Sequence, residues 1–75
     1  MTLYEGIKGN EYEVQELKLP ETTARRFEAI GIFEGTKILI LNKKRAGALI
    51  IKARGARWAI GKEHASGIMV RECAK

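Results

Sequence analysis

Between residues 31 and 61 the chain is cut by glycine-bearing turn signals into short apolar runs, none longer than Ile38–Leu41. That spacing excludes a long helix across the middle of the molecule and dictates short strands that turn back on one another. Phe33-Glu34-Gly35-Thr36 suits a type II turn, with Gly35 at the position that takes a positive φ. A strand is predicted from Thr36 to Lys43, and Ile38-Leu39-Ile40-Leu41 makes it apolar on both faces and therefore central. Lys44-Arg45-Ala46-Gly47 breaks the run and returns the chain into Ala48–Ala53, where Leu49-Ile50-Ile51 is again expected to be buried on both sides. Arg54-Gly55-Ala56-Arg57 reads as a second tight turn, leading to a short strand through Trp58 and Ile60.

The flanks complete the pattern. From Tyr12 to Leu19 apolar residues alternate, but the parity changes between Val14 and Leu17, which predicts a first strand containing a bend or bulge. Pro20 ends it. Glu21-Thr22-Thr23 then offers side-chain oxygens and a negative charge to the free amides of a helix of about ten residues, in which Ala24, Phe27 and Ile30 face inward. Gly31 is the expected left-handed residue after that helix, with Ile32 covering the last turn. Gly31→Val or Gly35→Val is expected to destabilise by more than about 1 kcal/mol, whereas Gly47→Ala need not. Gly61 precedes a single helical turn over Lys62–Ser66, and Ile68-Met69-Val70 forms a last strand ending near Arg71. The fold expected is mostly β: one domain over residues 1–75, a small closed or half-closed β-barrel of about five strands. One short helix is inserted after the first strand and a helical turn precedes the last.

Charge is distributed unevenly along this frame. The net charge is +5, yet residues 1–34 hold seven glutamates against four bases, and residues 35–62 hold eight bases and no acid. Such a block suits nucleic acid, an anionic lipid surface or an acidic protein patch, although lysines on exposed strands also serve solubility. No apolar stretch approaches the roughly 20 residues that span a bilayer, and no signal-peptide pattern opens the chain. A soluble cytosolic protein is expected, without direct membrane insertion. With one cysteine, Cys73, one histidine, His64, and no aspartate, there is no disulfide and no nucleophile–base–orienter set, so an enzyme is not expected. Nor is there a phosphate loop, since Lys62-Glu63 stands where Lys-Ser would be needed.

The ordered motifs Leu17-x-Leu19, Arg25-Arg26-Phe27-x-x-Ile30-Gly31-Ile32-x-x-Gly35-Thr36, Ile50-Ile51-Lys52-x-Arg54-Gly55-x-Arg57 and Ile60-Gly61-x-x-x-Ala65-x-x-Ile68-x-Val70 together resemble the ferrous iron transport protein A family, FeoA. The resemblance runs from about Leu3 to Val70. One departure is Glu34, where the family usually has proline before the turn glycine. What the resemblance implies is an SH3-like barrel, a cytosolic location in a bacterium or archaeon, and work as an accessory partner of FeoB, the membrane ferrous iron transporter with a cytosolic GTP-binding domain. A similar domain ends some iron- or manganese-dependent repressors, but no winged-helix segment precedes this one, so a free-standing module is expected.

No cofactor is expected. For metal, His64 and Cys73, with Glu63 and Glu72, are the weak candidates, scattered over a turn and a chain end and too few for a convergent site within one chain. A site shared between two chains of a homodimer is left open. For partner binding the candidates are Arg25, Arg26, Phe33, Arg54, Arg57 and Trp58. Phe33 is an apolar side chain on a turn beside an amphipathic helix, suited either to closing the core or to lining a groove for a partner segment. Arg25, Arg26 and the basic strands would steer an acidic surface. The competing readings are a nucleic-acid-binding SH3-like barrel using the basic strands and Trp58, and a metal-responsive regulator. With five aromatic residues that must also fill the core, single-strand binding is the weaker of the functional readings.

Overall fold

The computed structural model describes residues 1–73. Five antiparallel strands form one sheet: β1 (Glu11–Leu17), β2 (Lys37–Lys43), β3 (Leu49–Ala53), β4 (Ala56–Ile60) and β5 (Ile68–Glu72). Helix α1 (Glu21–Ala29) follows β1, the short helix α2 (Lys62–Ala65) precedes β5, and a 3-10 turn covers Leu3–Glu5. The strand order is β4-β3-β2-β1-β5, so β2 is central and β4 and β5 are the edges of a sheet that does not close. The N-terminus guards the β5 edge: Thr2 bridges to Met69, and the Val70 amide donates to the Met1 carbonyl.

Period-two alternation sends Tyr12, Val14, Ile38, Ile40, Leu49, Ile51, Ile60, Ile68 and Val70 to one face, where Leu3, Phe27, Ile32 and Ala65 close the core over them. The parity change in β1 is a bulge, as expected, with the register shifting between Val14 and Glu16 against β5. A second shift lies in β2 between Ile40 and Asn42, where a run apolar on both sides gives no parity signal. Burial on both faces is not realised: Leu39, Leu41 and Ile50 turn to the outer face and stay half-exposed, because the sheet is covered on one side only.

The inserted helix departs from expectation in two ways. No side chain caps its N-terminus, where Pro20 occupies the N-cap position. Of its three expected inward residues only Phe27 is buried, while Ile30 is exposed. Positions three apart drift by about 60° round a helix, so Ala24 and Ile30 flank the buried stripe rather than share it, and Ile30 has already left helical geometry. The C-terminus follows the expected motif. The Gly31 amide donates to Glu28 and the Ile32 amide to Phe27, with Gly31 at φ +95° and Ile32 fully buried beneath the last turn.

Thr36 joins this helix end to the sheet. Its hydroxyl donates to the Gly31 carbonyl at 2.9 Å and accepts from the Phe33 amide at 3.2 Å. The Thr36 amide closes the type II turn on the Phe33 carbonyl, and the Gly35 amide and Thr36 carbonyl pair with Val14 of β1. Because the residue is 5% exposed, water cannot replace these bonds. We expect Thr36→Val, which keeps the volume and strands both backbone groups, to cost about 1–3 kcal/mol in urea unfolding, and Thr36→Ser to cost clearly less. Gly47 corrects the sequence reading: its φ is +98°, and a Cβ there would sit 3.2 Å from the Lys62 Cβ. Gly47→Ala should therefore lose more than about 1 kcal/mol, whereas Gly61→Ala, at φ −66° with open space around it, should be neutral or slightly stabilising.

Candidate partner-binding site

Helix α1 is too short to bury more than one stripe, so its packing against α2 leaves a groove along the joint. Two hollows, of about 290 and 390 Å³, meet at Thr23 and His64. One is walled by Arg26, Phe27 and Ile30, the other by Leu19, Pro20, Glu63 and Gly67. His64 stands edge-on to Phe27 with ring centroids 5.6 Å apart, closing the floor between them.

Beyond Ile30 the apolar surface continues round the helix end. Phe33 is 39% exposed, and the Arg54 guanidinium lies 5.5 Å from its ring centroid. Arg54 reaches this position from the two-residue β3–β4 turn, Arg54-Gly55, where it is the one non-glycine residue with positive φ (+52°) among the described residues. Its stem crosses Gly31, where a Cβ would fall 2.5 Å from Arg54 Cδ. Gly31 is thus needed twice, for the left-handed helix end and for the passage of the arginine. The sequence reading had the first reason and not the second, because Arg54 comes from a distant hairpin.

Of the sequence-predicted partner residues, the fold gathers Arg26, Phe33 and Arg54 on this side of the molecule. Arg25 is engaged on the outer side of α1, ion-paired with Glu21 at 2.6 Å in full solvent. Arg57 and Trp58, neighbours in β4, point to opposite faces. Arg57 stands outside, opposite Lys52, while Trp58 packs on the core opposite Ile51, its Nε1 buried without an acceptor. Ile30 and Phe27 are groove residues the sequence reading assigned wholly to the core.

The basic block does not make a single face. Lys37 lies opposite Glu13, which also pairs with Arg71 at 2.6 Å; Lys52 and Arg57 sit on the outer sheet face; Arg54 lies over Phe33 and Gly31; Lys43 and Lys62 flank Tyr4 elsewhere. Strand alternation and turns disperse what is contiguous in sequence. The metal candidates are likewise separate. His64 lies in the groove, whereas the Cys73 amide binds the Glu11 carbonyl beside β1 and Glu72 accepts from Asn10. Among the described residues no three His, Cys, Asp or Glu side chains converge. No helix there is long and apolar enough to cross a membrane.

The FeoA domain family model matches residues 1–72. The fold is similar to that of the FeoA protein from Chlorobium tepidum, at 25% identity and a TM-score of 0.92, covering 99% of this chain and 71% of that one. It is similar to an iron uptake regulatory protein, also described as FeoA, at 29% identity and a TM-score of 0.85, covering 96% of this chain and 94% of that one. A third similar structure is Stenotrophomonas maltophilia FeoA complexed with zinc, described as a procaryotic SH3 domain protein, at 22% identity and a TM-score of 0.82, covering 95% of this chain and 89% of that one. The expected SH3-like architecture is thereby shown. No curated protein matches the sequence.

The scattered donors set an expectation for metal. Anaerobic thermal melts with Fe²⁺ or Zn²⁺ should move the midpoint little, since stabilisation grows only with the logarithm of concentration over dissociation constant. A rise of several degrees that His64→Ala or Cys73→Ser abolishes would establish a site, and its restriction to high protein concentration would place that site between chains.

Proposed function

The chain belongs to the FeoA family, and we propose that it is a small accessory module of ferrous iron uptake that acts by contact with the cytosolic region of an FeoB-type membrane transporter. The observation that carries this reading is the α1–α2 groove, where exposed Ile30 lies with Phe27, His64 and Arg26, followed just past the helix end by exposed Phe33 with Arg54 over its ring. An apolar trough with cations on its rim suits a short partner segment that has an apolar anchor and carboxylates beside it.

The nucleic-acid reading loses support from the same geometry, since the Trp58 ring faces the core while Lys52 and Arg57 face outward. A regulator answering directly to metal would need converging ligands, and His64 and Cys73 do not supply them.

Titration calorimetry of the protein against the cytosolic portion of an FeoB transporter at low salt should give a micromolar dissociation constant, as small transient interfaces do. Phe33→Ala should weaken it by about tenfold and Arg54→Ala by severalfold, whereas Arg57→Ala, on another face, should leave it unchanged. Absence of contact with both that portion and the full transporter overturns the proposal.

A further inference from the structure

Helix α2 has two sides. Positions 62 and 64 are about 200° apart round a helix, so His64 faces the groove while Lys62 faces away from it. On that far side Lys62 meets the N-terminal segment and the β2–β3 hairpin. Its Nζ lies 5.3 Å from the centroid of the Tyr4 ring, and the Lys43 Nζ lies 4.6 Å from the same ring. Lys43 also donates to the Tyr4 carbonyl at 2.7 Å. The hairpin then turns through Lys44 and Arg45, both exposed.

We propose that this end of the molecule, formed by Lys43, Lys44, Arg45 and Lys62 round Tyr4 with the Ile7-Lys8 turn beside it, docks reversibly on anionic phospholipid headgroups. Three observations carry the proposal. The first is uncompensated charge. The ion pairs among the described residues are Arg25–Glu21 and Arg71–Glu13, both elsewhere. The carboxylates nearest in sequence form no ion pair with these bases: Glu5 accepts from the Thr2 amide at 2.7 Å and Glu63 lines the groove. Two ammonium groups held on one ring repel each other, and an anion arriving from outside relieves that repulsion.

The second observation is Ile7, 63% exposed and yet held rigidly. Its amide donates to the Tyr12 hydroxyl at 2.8 Å and its carbonyl accepts from the Asn10 amide at 3.0 Å. The third is where that turn lies. The Gly9 amide on the Ile40 carbonyl and the Lys43 ammonium on the Tyr4 carbonyl bracket Ile7 and Lys8 against the second half of β2. An exposed aliphatic side chain on a fixed turn beside Lys8 gains nothing against a phosphodiester backbone. At a bilayer surface it leaves water while the bases meet headgroups. A nucleic acid would use an exposed ring for stacking, and Tyr4 is covered by its two lysines.

The groove and the basic end are on different sides of α2, so the docking does not depend on the proposed transporter contact. It would, however, hold the module at the surface where a membrane partner lies and raise its effective concentration there.

The test is co-sedimentation of the full chain with vesicles of phosphatidylcholine alone and with about a third phosphatidylglycerol, at low and at physiological salt. Binding is expected only to the anionic vesicles and should fall with salt. The double variant Lys44→Glu/Arg45→Glu should reduce partitioning by about 25-fold or more, at roughly fivefold for each base removed. Ile7→Ser should reduce it severalfold without altering the salt dependence. Both variants change exposed side chains, and unchanged thermal midpoints verify their folding. No binding to anionic vesicles at low salt, or equal binding by the double variant, overturns the proposal. So does competition by millimolar inorganic phosphate, which would mark a discrete ion site. Tighter binding to a single-stranded oligonucleotide, insensitive to Ile7→Ser, would assign the surface to nucleic acid instead. Loss of vesicle binding with transporter binding intact refutes this inference alone, and the converse refutes only the groove.

Discussion

The Thr36 hydroxyl holds the two halves of this protein in register. A domain this small hides a limited fraction of its surface, and it cannot leave an inserted helix tethered by apolar contact alone. Phe27 and Ile32 supply the apolar contact; Thr36 supplies direction. By bonding the Gly31 carbonyl and the Phe33 amide while its own backbone pairs with Val14, one side chain fixes the exit of α1, the type II turn and the β1–β2 pairing.

That constraint also explains what could and could not be read in the sequence. Gly31, Ile32 and Gly35 were legible because each satisfies a local backbone rule within a few residues. The β1 bulge was legible because an alternating strand records a change of parity. The β2 bulge was not, since Leu39 and Leu41 are as apolar as Ile38 and Ile40. Ile30 was misplaced by extending helical spacing one residue past the helix. The Arg54–Gly31–Phe33 contact was invisible because it joins a helix end to a hairpin far along the chain. Arg26, Phe33 and Arg54, expected as partner-binding residue types, lie at or just past the end of α1 in the fold. Arg57 and Trp58 were chosen on the same grounds, and alternation in β4 divides them.

The dispersal of the basic block is the general form of that division. Eight bases in 28 residues suggest a single cationic face only if the chain is treated as a line. In an antiparallel sheet each tight turn places its bases at one end, and each strand places alternate bases on one side. Apart from Lys37, which lies opposite Glu13, the block resolves into an arginine over Phe33, a pair on the outer sheet and a cluster at the β2–β3 end. These have different neighbours and so different consequences.

The outer-sheet pair shows why a base need not be a binding residue. Lys52 and Arg57 stand directly opposite each other on β3 and β4, a like-charged arrangement that weakens their own pairing slightly. Strand β4 is an edge, and its partner edge β5 is already covered by the N-terminal residues, so β4 is where a second chain could add a strand. Arg57 on that edge, with Lys52 behind it on β3, would face the same charges from any second copy pairing antiparallel to β4, and the repulsion opposes such association. The same charge type therefore opposes self-pairing at β4, covers an exposed ring at Arg54 and, round Tyr4, has no ion-pair partner among the described residues. The neighbours decide which: a like charge across the strand at β4, an exposed aromatic at Arg54, and a rigid aliphatic turn beside Tyr4.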